Sequence, residues 1–390
     1  MKIIVYRWNA WNQADIEEGF VQLGCEIIPI PEQPSNIEED TAFTEKVISM
    51  LRHHRPCFLF SVNYFPVLAE SCHETGITYV SWICDGSLLA MYHNSVFYNT
   101  NRIFSFDHAC IALFQSLGVS QIWHLPLGVN AARLQKCLQS SPSESSQKYD
   151  MSFVGSLYQN NSYDQLYEML PEYLAGYLDC CLEAQLAISG GNILNTLLTP
   201  SVCDKLEEIT DYQRSSQSFA GIRELFSSTV LGFKSASLAR QKLLQTLALA
   251  GRGWNPPATM HLFTSDDSHE LLVKTHGPVN YFTQMPYIFQ NSAINLNSTV
   301  PTIQTGIPLR VWDILGCGGF LLTDYQPELL DYFQNETHLA IYESQEELAA
   351  KAEFYMGHES LRRRATEKSQ KLVFTEHTWE IRIREILDRL

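Results

Sequence analysis

One stretch of this 390-residue chain concentrates groups able to hold an anion. It reads AINLNSTVPTIQTGIPLRVWDILGCGGFLLTDY, from Ala293 to Tyr325. Residues 293–297 form an apolar strand pattern that ends in Asn297, Ser298 and Thr299. Thr305 and Gly306 then lead into a helix, with Pro308 suited to its first turn. A helix start after a strand-end loop offers free N–H groups and the positive end of the dipole. That combination suits a phosphate or pyrophosphate. Arg310, in the first turn, adds a full charge and two-pronged hydrogen bonding. Asp313, one turn on, is placed to accept from ribose hydroxyls. The competing reading pairs Arg310 with Asp313 along the helix and makes Gly316, Gly318 and Gly319 a plain C-cap.

A second set follows from the rule that ligands of open α/β sheets bind beyond the carboxyl ends of strands. It contains Asn63 after an apolar run at 57–62, Asp85 after 79–84, and Asp107 with His108 after 103–106. A carboxylate or imidazole held at such an end serves as a base or stabilises positive charge in a transition state. Helix N-capping is the competing role of each aspartate. His124, between Trp123 and Leu125, reads as a core histidine.

These residues need a scaffold of alternating strands and helices, and the first third of the chain has that pattern. Strands at 2–6, 26–30, 57–62, 79–84 and 103–106 alternate with helical stretches at 15–23, at 44–54 and from Pro66; 121–127 closes the unit. Short links between them predict a parallel, doubly wound sheet. The serine-rich segment 138–148 reads as a linker. A strand at 149–154, ending at Gly155, opens a second unit. Helical periodicity with almost no strand signal fills about 160–250. Strands return at 260–263, 293–297, 320–323 and 339–342, and 378–390 is an amphipathic helix. The predicted organisation is a first domain over 1–137, a linker over 138–148, a second domain over 149–377 with a helical insertion, and the final helix.

Composition narrows the partners. The chain is 45% hydrophobic and 18% charged, as a folded protein is. With 27 basic and 43 acidic residues its net charge is −16. That balance argues against nucleic acid and anionic membrane as partners. A small anion then needs positive potential concentrated at one place. The ten cysteines form no C-x-x-C pair and no H-E-x-x-H occurs, so no metal site is expected from spacing. No apolar run approaches 18 residues, and the N-terminus reads as a strand, not a signal peptide. The expected location is the cytoplasm.

The segments FLFSVNYFP, YVSWICDGSLL, IFSFDHA, IWHLPLGVN, YDMSFVGSLY, HGPVNYF, INLNST, GIPLRVWDILGCGGFLLTDYQPEL and HTWEIRIREIL occur in that order. Together they resemble the CgeB-like (spore-maturation type) glycosyltransferases, a bacterial group related to the large retaining GT-B families. The resemblance covers nearly the whole chain and is weakest over 160–240. It implies a GT-B fold, in which two Rossmann-like, doubly wound α/β domains face a cleft. The acceptor side would be N-terminal, with Asn63, Asp85, Asp107 and His108. The nucleotide-sugar side would be C-terminal, with Gly155, Asn297, Ser298, Thr305, Gly306, Arg310 and Asp313. The last helix would cross back to the first domain. Leu127-Gly128-Val129-Asn130 is similar to the turn that closes the N-terminal domain in these enzymes, and Gly155 to the glycine that lets backbone approach the donor phosphates.

Two positions depart from the related families. An arginine often follows that glycine, where this chain has Ser156. Of two glutamates eight residues apart, the second corresponds to Asp313 and the first to Thr305. Arg310 is inferred to take over the phosphate role. The expected activity is transfer of a hexose or N-acetylhexosamine from a nucleotide-diphosphate sugar, UDP-sugars first, to a protein or cell-surface glycan. No metal and no further cofactor is expected. Asp85, Asp107 and Arg310 are the candidate catalytic groups, and the family analogy leans to retention. A GT-B sugar-nucleotide epimerase and a non-catalytic sugar-nucleotide-binding scaffold are the alternatives. Whether the insertion shapes acceptor choice or oligomerises the chain stays open.

Overall fold

The computed structural model describes residues 1–86, 88–139 and 148–390. Most of the predicted linker, 140–147, lies outside the described residues. Two six-stranded sheets form the frame, and every pairing in them is parallel. The first contains β1 (Lys2–Tyr6), β2 (Glu26–Ile30), β3 (Phe58–Val62), β4 (Thr78–Ile83), β5 (Asn101–Ser105) and β6 (Ile122–His124), in the order β2-β1-β3-β4-β5-β6. The second contains β7 (Tyr149–Val154), β8 (Met260–Phe263), β9 (Lys274–His276), β10 (Ser292–Asn297), β11 (Leu321–Asp324) and β12 (Ala340–Tyr342), in the order β12-β11-β10-β7-β8-β9.

Helices cover both faces of a doubly wound sheet, so its inner strands are buried on both sides. All five residues of β3 and all six of β10 are buried. The ten predicted strands are present, with ends matched or shifted by a few residues, and β6 lies within the closing segment 121–127. β9 had no sequence signal, because KTH is a short, mostly exposed edge strand whose charge protects the sheet edge.

The strand order sets where a ligand can sit. In the second sheet the chain winds outward through β7, β8 and β9, then returns to build β10, β11 and β12 on the other side. The switch point lies between β7 and β10, where the loops leaving the two carboxyl ends diverge and open a crevice. The matching switch in the first sheet lies between β1 and β3.

The insertion between β7 and β8 has its own core, in which Leu174, Leu178, Leu206 and Leu231 are buried. It leads into the long helix Leu231–Gly253. The second half of that helix lays Leu243, Leu244 and Leu247 on the sheet against Met151 and Leu262. The insertion belongs to the second domain in sequence, yet it reaches the first in space. Asn94 N–H donates to the Gln217 carbonyl at 2.8 Å, and Phe219 N–H donates to the Tyr92 carbonyl at 2.8 Å.

An apolar seam joins the two domains. Trp82, Phe104 and Leu125 of the first share one core with Val311, Trp312 and Ile314 of the second. The terminal helix Trp379–Leu387 packs on the first domain: the Trp379 ring meets Trp82 edge-on at 5.2 Å, and Trp379 N–H donates to the Val129 carbonyl at 3.0 Å.

Candidate functional site

At the β7/β10 switch point the dominant group is Arg240, on the helix Leu231–Gly253. Its guanidinium donates to the Ser156 carbonyl at 2.6 Å and to the Ser298 carbonyl at 3.1 Å. It lies over the rings of Tyr158 at 4.6 Å and Phe153 at 5.4 Å. Nη1 is 3.8 Å from where a side chain at Gly155 would begin, and Nε has no hydrogen-bond partner. Burial lowers its pKa, but an arginine begins so high that it stays charged. Its two bonds go to neutral carbonyls and none to a carboxylate, so its charge is available to an anion.

The loop beside it is rigid. Ser156 Oγ donates to Asp266 at 2.8 Å, and Leu157 N–H donates to the same carboxylate. Asn297 is buried and donates to Thr323 at 3.1 Å and to Asp324 at 3.3 Å. Asp324 also accepts from Thr299 N–H at 2.8 Å, and burial raises its pKa. Ser298, also buried, contributes its backbone carbonyl to Arg240.

Arg310 and Asp313 lie on the helix Leu309–Gly316, with Pro308 just before its first turn as the N-cap. Arg310 pairs with Asp313 at 3.4 Å, touches Met285 and lies 5.5 Å over the Phe289 ring. The helix-pairing alternative is therefore formed. Asp313 is buried and accepts from the Tyr281 hydroxyl at 2.8 Å. Burial pushes its carboxyl up to about 6, against the pull of Arg310 and the Tyr281 bond.

On the facing rim, Asn63 follows β3 with a left-handed backbone, φ +63. Its amide nitrogen donates to Asp85 at 2.6 Å, and its oxygen accepts from Cys84 N–H at 2.9 Å. Asn63 thus aims Asp85, which is exposed toward the cleft.

Asp107 differs from the expectation of a catalytic carboxylate. It caps the helix His108–Ser116 through Ala109 N–H at 2.8 Å and Cys110 N–H at 3.3 Å. It also accepts from Gln304 N–H at 2.7 Å and from the Thr305 hydroxyl at 2.8 Å, both in the other domain. With these bonds Asp107 takes the capping role that competes with a catalytic one, and it also ties the two domains together.

Thr305 and Gly306 also lie at the junction of the two domains. The Thr305 hydroxyl lies between Asp107 and Glu328, 2.7 Å from the latter. A Cβ on Gly306 would stand 2.6 Å from the Phe106 carbonyl oxygen, so glycine is needed there for two backbones to meet.

His108 stacks on His124 at 3.7 Å. Both rings reach the buried Glu328, His108 Nδ1 at 3.1 Å and His124 Nε2 at 2.9 Å. Burial raises the Glu328 pKa, but the His124 bond, His108 N–H and the Thr305 hydroxyl outweigh it and hold the value below the ordinary one. The three ligand atoms lie within 4.8 Å of one another, a set chemically suited to a divalent cation such as zinc. No spacing motif could reveal it, since Glu328 is 204 residues from His124.

The structure gathers Gly155, Asn297 and Ser298 around Arg240, and pairs Arg310 with Asp313 nearby. It sets Asn63 with Asp85 on the opposite rim, and Asp107, His108, Thr305 and Gly306 at the junction between. Arg240 is the residue that sequence reasoning missed. Its signal was present, because Ala236, Arg240, Leu243, Leu244 and Leu247 share one helix face and an arginine on an otherwise buried face needs a reason.

Comparison with known proteins fits this geometry. Residues 234–388 match a family described as glycosyl transferase-like. No curated protein matches the sequence significantly. A UDP-forming α,α-trehalose-phosphate synthase from Burkholderia xenovorans superposes with a TM-score of 0.58 at 8% identity, over 99% of this chain and 98% of that one. HepE of Anabaena, solved in complex with UDP and glucose, gives 0.56 at 10% identity over 100% of both chains. The sucrose-phosphate synthase of Thermosynechococcus elongatus gives 0.56 at 10% identity, over 100% of this chain and 98% of that one. The fold is GT-B. At such identities the likeness establishes architecture, and the chemistry has to come from the side chains.

Proposed function

We propose that this protein is a glycosyltransferase that draws a hexose or N-acetylhexosamine from a nucleotide-diphosphate sugar, with UDP-sugars first among donors. The observation that carries the reading is Arg240: a guanidinium held by two carbonyls, with no carboxylate partner, at the switch point of a parallel sheet. A guanidinium with no carboxylate hydrogen-bonded to it suits the diphosphate of a donor. HepE, of the same architecture, was solved with UDP-glucose, which supports the donor class.

In the reaction the acceptor oxygen bonds to the anomeric carbon while the bond to the diphosphate oxygen breaks. The acceptor's proton passes to the departing diphosphate. Negative charge grows on that leaving group, and a cation fixed in place beforehand stabilises it without reorganisation. Arg240 takes this role, with Arg310 as the second cation and Asp313 holding Arg310 in place. Asp85, aimed by Asn63, orients the acceptor on the first domain. Retention of configuration and membership of the CgeB-like group are part of this proposal, and both rest on the ordered sequence motifs. A cytoplasmic setting fits ten free cysteines.

Calorimetric titration with UDP-glucose and UDP is the test. Binding is expected, and Arg310→Ala should weaken it about tenfold, the worth of one charge-assisted pair. Unchanged donor affinity in a folded Arg310→Ala protein rejects the role of Arg310. No binding of any nucleotide sugar by the unaltered chain rejects the function. The anomeric coupling constant of the product, read by proton NMR, decides retention.

A further inference from the structure

A cavity of about 270 Å³ lies between the first domain and the helical insertion. Its near wall is the β4 and β5 strand ends, with Asp85, Phe106 and Asp107. Its far wall comes from the insertion, with Asn192, Asn195, Thr196, Glu224, Ser227 and Ser228. Thr302 and Gln304, from the loop after β10, form the edge nearest the domain junction. The cavity therefore adjoins the rim where Asp85 stands and is separate from the Arg240 switch point, none of whose groups line it.

Two features show that this wall is built. Residues Phe226–Val230 form a π-helical turn between the helices Ile222–Leu225 and Leu231–Gly253. Such turns cost hydrogen-bond geometry and cluster at functional sites. Here the turn carries Ser227 and Ser228 into the lining; Ser228 Oγ is tied back to the Glu224 carbonyl at 2.5 Å, and the Ser227 carbonyl accepts from Asn192 at 3.2 Å. Beside it, a Cβ on Gly232 would meet Thr302 at 2.7 Å, so glycine lets the catalytic-side loop close against the insertion.

The lining chemistry narrows the occupant. Asp85, Asp107 and Glu224 are its charged groups, and among the described residues lining it there is no Lys, Arg or His. Around them stand hydroxyls and amides, which exchange hydrogen bonds with a polyhydroxylated ligand. Tyr92, Phe106 and Phe114 add apolar ring surface for the C–H face of a sugar. The volume is at the small end of ligand pockets, which run from roughly 300 to 1,000 Å³, and suits one sugar unit.

We infer that the insertion and the first domain together form the acceptor pocket, and that it admits a neutral or amine-bearing sugar while rejecting acidic and phosphorylated ones. The word acceptor rests on the glycosyl-transfer reading above; the pocket's selectivity does not. Ligand-observed NMR titrations of the full chain, without donor, with glucose, glucosamine, glucuronate and glucose 6-phosphate test the inference. Glucose and glucosamine are expected to bind, with both anions at least about tenfold weaker, because carboxylates at close range repel them.

Asn195 is exposed, so Asn195→Trp fills the cavity without disturbing a core; it should abolish sugar binding and leave UDP affinity unchanged. Glu224→Gln keeps an acceptor for Gly221 N–H and should narrow the glucose-to-glucuronate gap about threefold. Equal binding of glucose and glucuronate overturns the inference. So does sugar binding that survives Asn195→Trp, or a loss of UDP binding in that variant. If the unaltered chain binds glucose but no nucleotide, the glycosyl-transfer reading falls and the pocket's selectivity stands.

Discussion

The two rims that face each other across this molecule share one architecture and carry opposite charge. The first-domain rim presents Asp85 and Asp107, joined by Glu224 of the insertion, and no basic group lines the cavity among them. The second-domain rim presents Arg240 and Arg310. It also holds Asp313 and Asp324, but burial raises both carboxyls, and hydrogen bonds from Tyr281, Thr299 and Asn297 occupy them. In the proposed function this difference in lining would steer a polyphosphate donor toward Arg240 and Arg310 and away from the Asp85 side. This also reconciles the net charge of −16 with an anionic donor, because attraction is local to one switch point.

Arg240→Ala is the strongest way to break the contrast. It should weaken UDP-glucose binding about a hundredfold, since truncating a desolvated charge partner costs on the order of 2–5 kcal/mol. Arg240→Lys should restore only part of that, because a point charge cannot span the Ser156 and Ser298 carbonyls as a planar fork does. Calorimetry with UDP checks both, and wild-type affinity in Arg240→Ala would remove the cationic rim from the account.

Glu328→Gln probes the junction between the rims. Its carboxylate gathers His108, His124 and Thr305 across the domains, and the substitution should cost about 2 kcal/mol of stability at neutral pH. The folded-state pKa of Glu328 is depressed, so its contribution is present above the ordinary carboxylate range and is lost as pH falls through the folded value. The wild-type and variant melting curves should therefore converge in acid.

Asp313→Asn acts on stability with the opposite sign. The folded chain keeps this proton up to about 6, whereas an unfolded carboxyl loses it near 3.8. Between those values the folded state binds more protons, so stability falls as pH rises through the window and stays lower above it. The variant should gain up to about 3 kcal/mol above pH 6 and nothing below pH 4, by thermal unfolding. A gain that is independent of pH would show that the Asp313 carboxyl does not titrate in this window.

Much of the frame could be read from the chain because its signals are local. Buried parallel strands read as largely apolar runs, and FLFSV shows that directly; Lys2–Tyr6, Glu26–Ile30 and Tyr149–Val154 occur with the predicted ends. The site was legible in part. Residues at strand ends, such as Asn63, Asp85 and Asn297, follow from a topological rule, so their positions near the cleft were readable from periodicity alone. Their partners were not. Capping by Asp107 could be read from its place after a strand, but its bonds to Gln304 and Thr305, almost 200 positions away in the chain, could not.

By itself, the sequence determined the α/β class, the two winding sheets, the place of the insertion and an acidic chain without a long apolar span. Tertiary structure alone decided that Arg240 lies beside Gly155, that Thr305 and Gly306 join the domains, and that the insertion closes a pocket on the first domain. The reason is physical. Secondary structure is governed by side chains three or four residues apart in a helix and two apart in a strand. A charge takes its function from whichever groups surround it after the chain has folded.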